Sequence, residues 1–310
     1  MSREEKVSAW LRLARLQFQP MYVINYSVGA AAAYTTHQVF NVSVYVLGLI
    51  LISLGVICAA VTNDYYDYPS DRLNTKRGVF NAGSGVLVEG TLGFNEVKVG
   101  IIVILGLILV FGVLLIQVAK DVFTSLILVF GLLGIFLLLG YSAPPLKFSY
   151  RGLGEIAMSV MTGPYPVLLG YLIQTGRWTD PLPWLMSIPL FLATLTAGAI
   201  GSLPDSHADM QISRKRFAVI FGPQLTAIMS LCLIALTALS GVLLWYFRIL
   251  TGPGSISIFV IIPYSLILSK GVLKLLQTGD YERNIEGIFQ LAIFNIMLFG
   301  AIPLVSLLWR

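Results

Sequence analysis

The sequence predicts an all-α, polytopic membrane protein: nine transmembrane helices in a single bundle, with the N-terminus on the cytoplasmic side. Three observations carry this. Of 310 residues, 57% are apolar and 11% charged, where a soluble domain carries about 25% charged residues. The mean hydropathy is +0.84. Uncharged runs long enough for a spanning helix, which needs about 20 apolar residues, recur along the whole chain. This composition excludes an ordinary cytosolic enzyme, a disordered chain and a secreted disulfide scaffold. A transmembrane β-barrel is excluded by the runs themselves, because barrel strands alternate apolar and polar residues. Cys58 and Cys232 both lie inside apolar runs and read as small core residues. The net charge of +5 forms no basic stripe, so no nucleic-acid partner is expected.

Residues 1–310 read as one domain. Residues 1–18 form an amphipathic N-terminal segment lying on the inner surface, with Val7, Trp10, Leu11 and Ala14 on its apolar side. The alternative is a helix that only extends the first span. The stretch 17–63 is too long for one helix and splits at Thr35, Thr36, His37 and Gln38. Seven more spans follow at 99–119, 122–146, 156–176, 181–204, 217–247, 249–269 and 288–309. A basic start and Ala31–Ala33 resemble a signal peptide. The first apolar stretch is long and eight spans follow it, so it reads as a first helix. With the N-terminus inside, Lys120, Arg177, Arg248 and Arg310 fall outside and the other 16 of the 20 Lys and Arg fall inside. The positive-inside rule requires this bias, and one span more or fewer would scramble it. A multi-pass protein of a prokaryotic plasma membrane is expected, with the lipid bilayer as its partner.

Polar residues collect in three inner loops, 63–93, 142–154 and 205–217, which share one side of the membrane and can converge. In the first, Asn63, Asp67 and Asp71 are spaced i, i+4, i+8 and share one helical face. Pro69 should end that helix and leave Asp71 on a loop. In the third, Asp205 and Asp209 repeat the i, i+4 spacing, a weak sign of two related halves. Like charges about 4 Å apart repel by about 4 kcal/mol at an effective dielectric near 20. A solvated loop balanced by Arg72, Lys76 and Arg77 would relieve one such cluster. Two clusters at one rim point instead to divalent cations, and carboxylates with an amide oxygen suit Mg²⁺, which also takes phosphate oxygens. His207 reads as a loop residue. In the middle loop, Lys147 follows Pro144 and Pro145 and can reach a diphosphate oxygen, or serve as an ordinary inside lysine. Gly83, Ser84 and Gly85 make a flexible segment able to cap a site, and the phosphate-loop lysine pattern is absent.

These motifs resemble the UbiA superfamily of membrane prenyltransferases. Its signature is Asn-x-x-x-Asp-x-x-x-Asp after the second span, here Asn63, Asp67 and Asp71, and Asp-x-x-x-Asp after the sixth, here Asp205 and Asp209. Within it, the stretches NDYYDYPSD, AGSGVLVEG, YSAPPLKFSYRGLGE and GPYPVLLGYLIQTG look most like the 1,4-dihydroxy-2-naphthoate polyprenyltransferase branch of menaquinone biosynthesis. That branch commonly has a Gly-Lys-Arg-Thr type sequence after the second motif, where this chain runs Ser213, Arg214, Lys215, Arg216.

The resemblance implies a reaction. Asn63, Asp67, Asp71, Asp205 and Asp209 would hold Mg²⁺, with the four aspartates as the catalytic set. A polyprenyl diphosphate and an aromatic acceptor would be the substrates. Asn63, Asp64, Arg72, Tyr141, Ser142, Lys147 and Arg214 would bind the donor, and Arg15 or Gln19 the acceptor. Tyr65, Tyr66, Tyr68 and Tyr141 can stabilise an allylic cation through their ring faces, or serve as interfacial belt residues. A terpene cyclase of the same superfamily would use the same metal site without an acceptor. A transporter would carry its carboxylates along a midplane path, whereas these lie at one rim.

Overall fold

The computed structural model describes residues 3–73, 83–120, 122, 124–281 and 285–309. Lys76, Arg77, Arg283 and Arg310 of the charge count, residues 74–82 of the first motif loop and Ala82 of AGSGVLVEG lie outside the described residues. The described chain is helical: α1 (Arg3–Ala14), α2 (Gln19–His37), α3 (Val42–Tyr66), α4 (Tyr68–Leu73), α5 (Phe94–Val118), α6 (Thr124–Ser142), α7 (Gly154–Thr162), α8 (Pro164–Thr175), α9 (Pro181–Ser202), α10 (Ser206–Gln211), α11 (Phe217–Ile220), α12 (Pro223–Tyr246), α13 (Ile261–Thr278) and α14 (Ile285–Leu308).

Eight helices among the described residues are long and apolar enough to cross a membrane. They are α3, α5, α6, the α7–α8 pair, α9, α12, the 3-10 stretch Pro253–Val260 with α13, and α14. The first expected span, α2, has 19 residues and is not among the eight. Gln19, Asn25 and Ser27 dilute its hydropathy. Asn25 is fully buried and its Nδ2 donates to the Thr162 carbonyl at 2.7 Å, so this polarity faces the bundle, where a membrane helix tolerates it. The polar patch 35–38 does end α2, and Asn41 opens α3 by accepting from the Val44 N–H at 3.2 Å, an ordinary side-chain cap.

Within the expected span 156–176 the helix breaks at Gly163 and restarts on Pro164, where a missing N–H costs nothing. The tightest packing joins α2 and α8. A Cβ at Gly29 would overlap the Val167 carbonyl, and one at Gly170 the Tyr26 carbonyl, so the two backbones touch through small residues. The main core gathers α2, α8, α9, α12, α13 and α14. Outside it, α5 packs on α3 and scarcely meets α6.

The first motif differs from expectation. α3 stops at Tyr66, Asp67 caps it, and α4 starts at once with Pro69 in its first turn. Asp71 therefore sits on a short second helix and not on a loop. The backbone N–H of Asp67 bonds to the Asn63 carbonyl at 2.8 Å, and that of Asp71 to the Asp67 carbonyl at 2.9 Å. The i, i+4 register thus survives the break. In α1, Val7 and Leu11 are exposed, Trp10 and Ala14 are half-buried, and Ala9 and Leu13 pack inward.

Candidate active site

The three motif loops meet at one end of the bundle. Asn63 Nδ2 donates to Asp67 Oδ2 at 2.6 Å and to Ser142 Oγ at 3.0 Å. Arg214 Nη2 donates to Asp67 Oδ2 at 2.9 Å, joining segments 147 residues apart in sequence. Its Nη1 lies 3.8 Å from Asp209 Oδ1. Arg216 Nη1 lies 2.9 Å from Asp205 Oδ2 and 3.7 Å from Asp209 Oδ2. Between the middle and third loops, the Lys215 N–H bonds to the Tyr150 carbonyl at 3.3 Å.

Beside them lies a cavity of about 250 Å³, whose lining includes Arg15, Tyr22, Asn63, Asp67, Asp71, Tyr141, Asp205, Arg214 and Arg216, with Asp209 and Ser142 buried behind it. A second cavity of about 230 Å³ adjoins it between α3, α5, α6 and α8, lined almost wholly by aliphatic side chains. Tyr22, Val56, Ala59 and Met161 line both. One space is charged and the next is greasy, and a ligand with a polar head and an apolar tail fits the pair.

Burial dominates the electrostatics. It pushes Asp71 up to about 7, with the Asp64 and Asp67 charges adding to the effect and Arg15 and Arg214 opposing it. Burial pushes Asp209 up to about 6 against the pull of Arg216 and Arg214. Asp67 Oδ1 and both oxygens of Asp209 are buried and accept no hydrogen bond. Buried anionic oxygens without donors are costly and are relieved by a cation. Among the described residues no three Asp, Glu, His or Cys side chains already form a metal cluster. The donor set is nonetheless all oxygen, Asn63 amide plus carboxylates, which is what Mg²⁺ takes. The residues fit the ion.

Most expected residues come together here: Asn63, Asp67, Asp71, Asp205, Asp209, Tyr141, Ser142, Arg214 and Arg15. Others do not. Lys147 is absent from the cavity lining and lies over the Tyr150 ring at 4.9 Å. Its backbone is left-handed, φ 45°, and the Arg214 guanidinium lies over the same ring at 5.3 Å. Arg72 is exposed on α4. Asp64 faces Arg15 and Ser84, outside the cavity wall. Tyr65 and Tyr68 pack on Phe94, with ring centroids 5.7 and 4.9 Å away. Gln19 donates to the Ser53 carbonyl at 3.1 Å.

Three residues were missed. Tyr22 spans both cavities, with its hydroxyl 2.9 Å from Thr162 Oγ1. Arg216 holds the second motif. Glu155, buried at the start of α7, accepts from the Phe217 N–H at 3.1 Å and lies 3.5 Å from Arg216 Nε. A lone carboxylate opening an apolar run was the available signal for Glu155. For Tyr22 it was the polar side of α2.

The UbiA prenyltransferase family profile matches residues 23–300. The 1,4-dihydroxy-2-naphthoate octaprenyltransferase of Haemophilus influenzae is 28% identical over 228 residues, covering 70% of each chain. The Escherichia coli protein of the same name is 26% identical over 224 residues, again 70% of each. A UbiA homolog from Archaeoglobus fulgidus, solved bound to GPP and Mg²⁺, shares the fold with a TM-score of 0.65 and 20% identity, over 96% of this chain and 99% of that one.

Proposed function

The chain belongs to the UbiA prenyltransferase family, and from that premise we propose that it moves a polyprenyl group from an allylic diphosphate to 1,4-dihydroxy-2-naphthoate, in menaquinone biosynthesis. The single observation that carries this reading is the meeting of the two acidic motifs, bridged by Arg214, around a charged cavity beside an apolar one. The names of the Haemophilus and Escherichia relatives support the acceptor. We further infer nine spans, a cytoplasmic N-terminus and a cytoplasm-facing site in a prokaryotic plasma membrane. The 16-to-4 division of Lys and Arg supports that topology.

Asn63, Asp67, Asp71, Asp205 and Asp209 would hold Mg²⁺, which when bound neutralises the departing diphosphate. Arg214 and Arg216 keep the two motifs in register and add positive charge beside the leaving group. The prenyl tail lies in the aliphatic cavity, whose walls exclude water from the reacting carbon. Tyr22 and Tyr141 present aromatic rings to the charge that develops on the allylic carbon as its C–O bond breaks. Arg15 faces the acceptor carboxylate. A new C–C bond forms at the ring carbon that bore the carboxylate, and carbon dioxide leaves with its bonding pair transferred to the ring.

The test is an incubation of purified protein with Mg²⁺, farnesyl diphosphate and a panel of aromatic acids, with products identified by mass. A prenylated, decarboxylated naphthalenediol is expected. A cyclic hydrocarbon made without acceptor would assign a cyclase instead, and no diphosphate release under any condition would remove the enzyme reading.

A further inference from the structure

The N-terminal helix and the segment 83–92 pack as one body beside the cavity. Ala9 and Leu13 of α1 share a small core with Val86, Leu87 and Leu92, over Val61 of α3 and Val97 of α5. Arg12 Nη2 donates to the Ser84 carbonyl at 2.9 Å and pairs with Glu89 Oε1 at 2.8 Å. Lys6 pairs with Glu96 at 2.5 Å.

One buried carboxylate ties this body together. Asp64 is 3% exposed. Its Oδ1 takes Arg15 Nη2 at 2.5 Å. Its Oδ2 accepts the Ser84 backbone N–H at 2.9 Å and the Ser84 hydroxyl. Arg15 reaches it from a left-handed backbone, φ 45°, ψ 51°, which a non-glycine residue keeps only where its surroundings hold it there. Next to Ser84, Gly83 (φ +69°) lies so close to Asp71 that a Cβ would overlap the carboxylate, and both line the cavity. Asp64 therefore differs from its neighbours in the motif. Both its oxygens are engaged, whereas Asp67 and Asp209 keep oxygens that accept nothing.

We propose that Asp64 is a positioning residue that ties α1 to the segment 83–92 and so holds Gly83 against Asp71, taking no part in holding metal or diphosphate. The proposal rests on reading the charged cavity as the diphosphate site. Its test keeps the two apart by measuring the order of segment 83–92 and metal binding separately, in the full chain in detergent. Hydrogen exchange reports residues 83–92, a Mn²⁺ titration with inorganic diphosphate reports the metal, and steady-state kinetics report farnesyl diphosphate.

In Asp64→Asn, exchange across 83–92 rises about tenfold or more as local opening becomes easier, KM rises more than kcat falls, and Mn²⁺ affinity stays within about twofold. In Asp67→Asn the pattern inverts: Mn²⁺ affinity falls about tenfold or more while exchange across 83–92 is unmoved. Ser84→Ala loosens the same segment less, adds nothing on top of Asp64→Asn, and carries the test if that variant does not fold. Loss of Mn²⁺ affinity in Asp64→Asn matching that in Asp67→Asn overturns the proposal. So does unchanged exchange across 83–92 in both Asp64→Asn and Ser84→Ala. Should Asp67→Asn keep its Mn²⁺ affinity while Asp64→Asn loosens 83–92, the metal reading fails and the latch stands.

Discussion

Asp180 and Asp209 sit at opposite ends of the bundle, in opposite states. At the end away from the motifs, Asp180 Oδ2 accepts the Tyr171 hydroxyl at 2.5 Å and faces His37 Nε2 at 2.7 Å, with Thr36 Oγ1 3.2 Å from the same hydroxyl. These bonds, Tyr171 first and His37 next, hold the Asp180 carboxyl below its usual range. At the motif end, burial raises Asp209 and Asp71, and buried oxygens of Asp67 and Asp209 accept nothing. A satisfied carboxylate is a structural tie, here joining α2, α8 and α9. A buried carboxylate oxygen that accepts nothing is a standing cost to the fold, which a bound cation would relieve.

The contrast breaks most sharply under substitution. Asp67→Ala or Asp205→Ala should lower prenyl transfer by on the order of 10³-fold with helicity unchanged by circular dichroism, whereas Asp180→Asn keeps turnover. Chelation of divalent metal should abolish transfer, and adding Mg²⁺ with inorganic diphosphate at about 100 times the dissociation constant should stabilise the protein by about 2.7 kcal/mol in a thermal scan. Asp180→Asn should leave that ligand response intact.

pH sharpens the same comparison. Asp71 titrates near 7 and Asp209 near 6, so Mg²⁺ competes with protons and its affinity should fall as pH drops from 8 through this window, by up to about tenfold per unit. The sign for metal-free stability is the reverse. The folded state takes up these protons before the unfolded chain does, so falling pH through 7 to 6 stabilises the fold. Asp180 works the other way: its stability contribution is present above the ordinary carboxylate range and is lost as pH falls through its depressed value. The smallest effect follows. Metal-free at pH 8, Asp209→Asn should raise stability by about 1 kcal/mol, and Asp180→Asn should lower it by a similar amount. Equal signs in the two melts would collapse the distinction.

Long uncharged runs made the spans readable, because lipid demands them. The split at 35–38 and the convergence of three loops were readable for the same reason. Helix restarts were less so. Pro69 signalled an end and Pro164 passed unread inside the expected span 156–176; a proline also opens a helix, and α4 and α8 both start around these prolines. In the site, Asn63, Asp67, Asp71, Asp205 and Asp209 announced themselves through spacing. Asp64 looked like one more member of that set. Its distinct partners, Arg15 and Ser84, lie 49 and 20 residues away, and no local pattern links them. Lys147 and Tyr65 do not line the cavity, and no pattern in the sequence announces their partners. Lys147 lies over the Tyr150 ring, and Tyr65 packs on Phe94.

The central claim is that both acidic motifs act together on one metal-bound diphosphate. Calorimetric titration of Mg²⁺ with farnesyl thiodiphosphate, an inert donor, into the parent protein, Asp67→Asn and Asp209→Asn tests it most directly. Saturable binding in the parent and its loss in both variants is the predicted result; undiminished binding in either variant would contradict it.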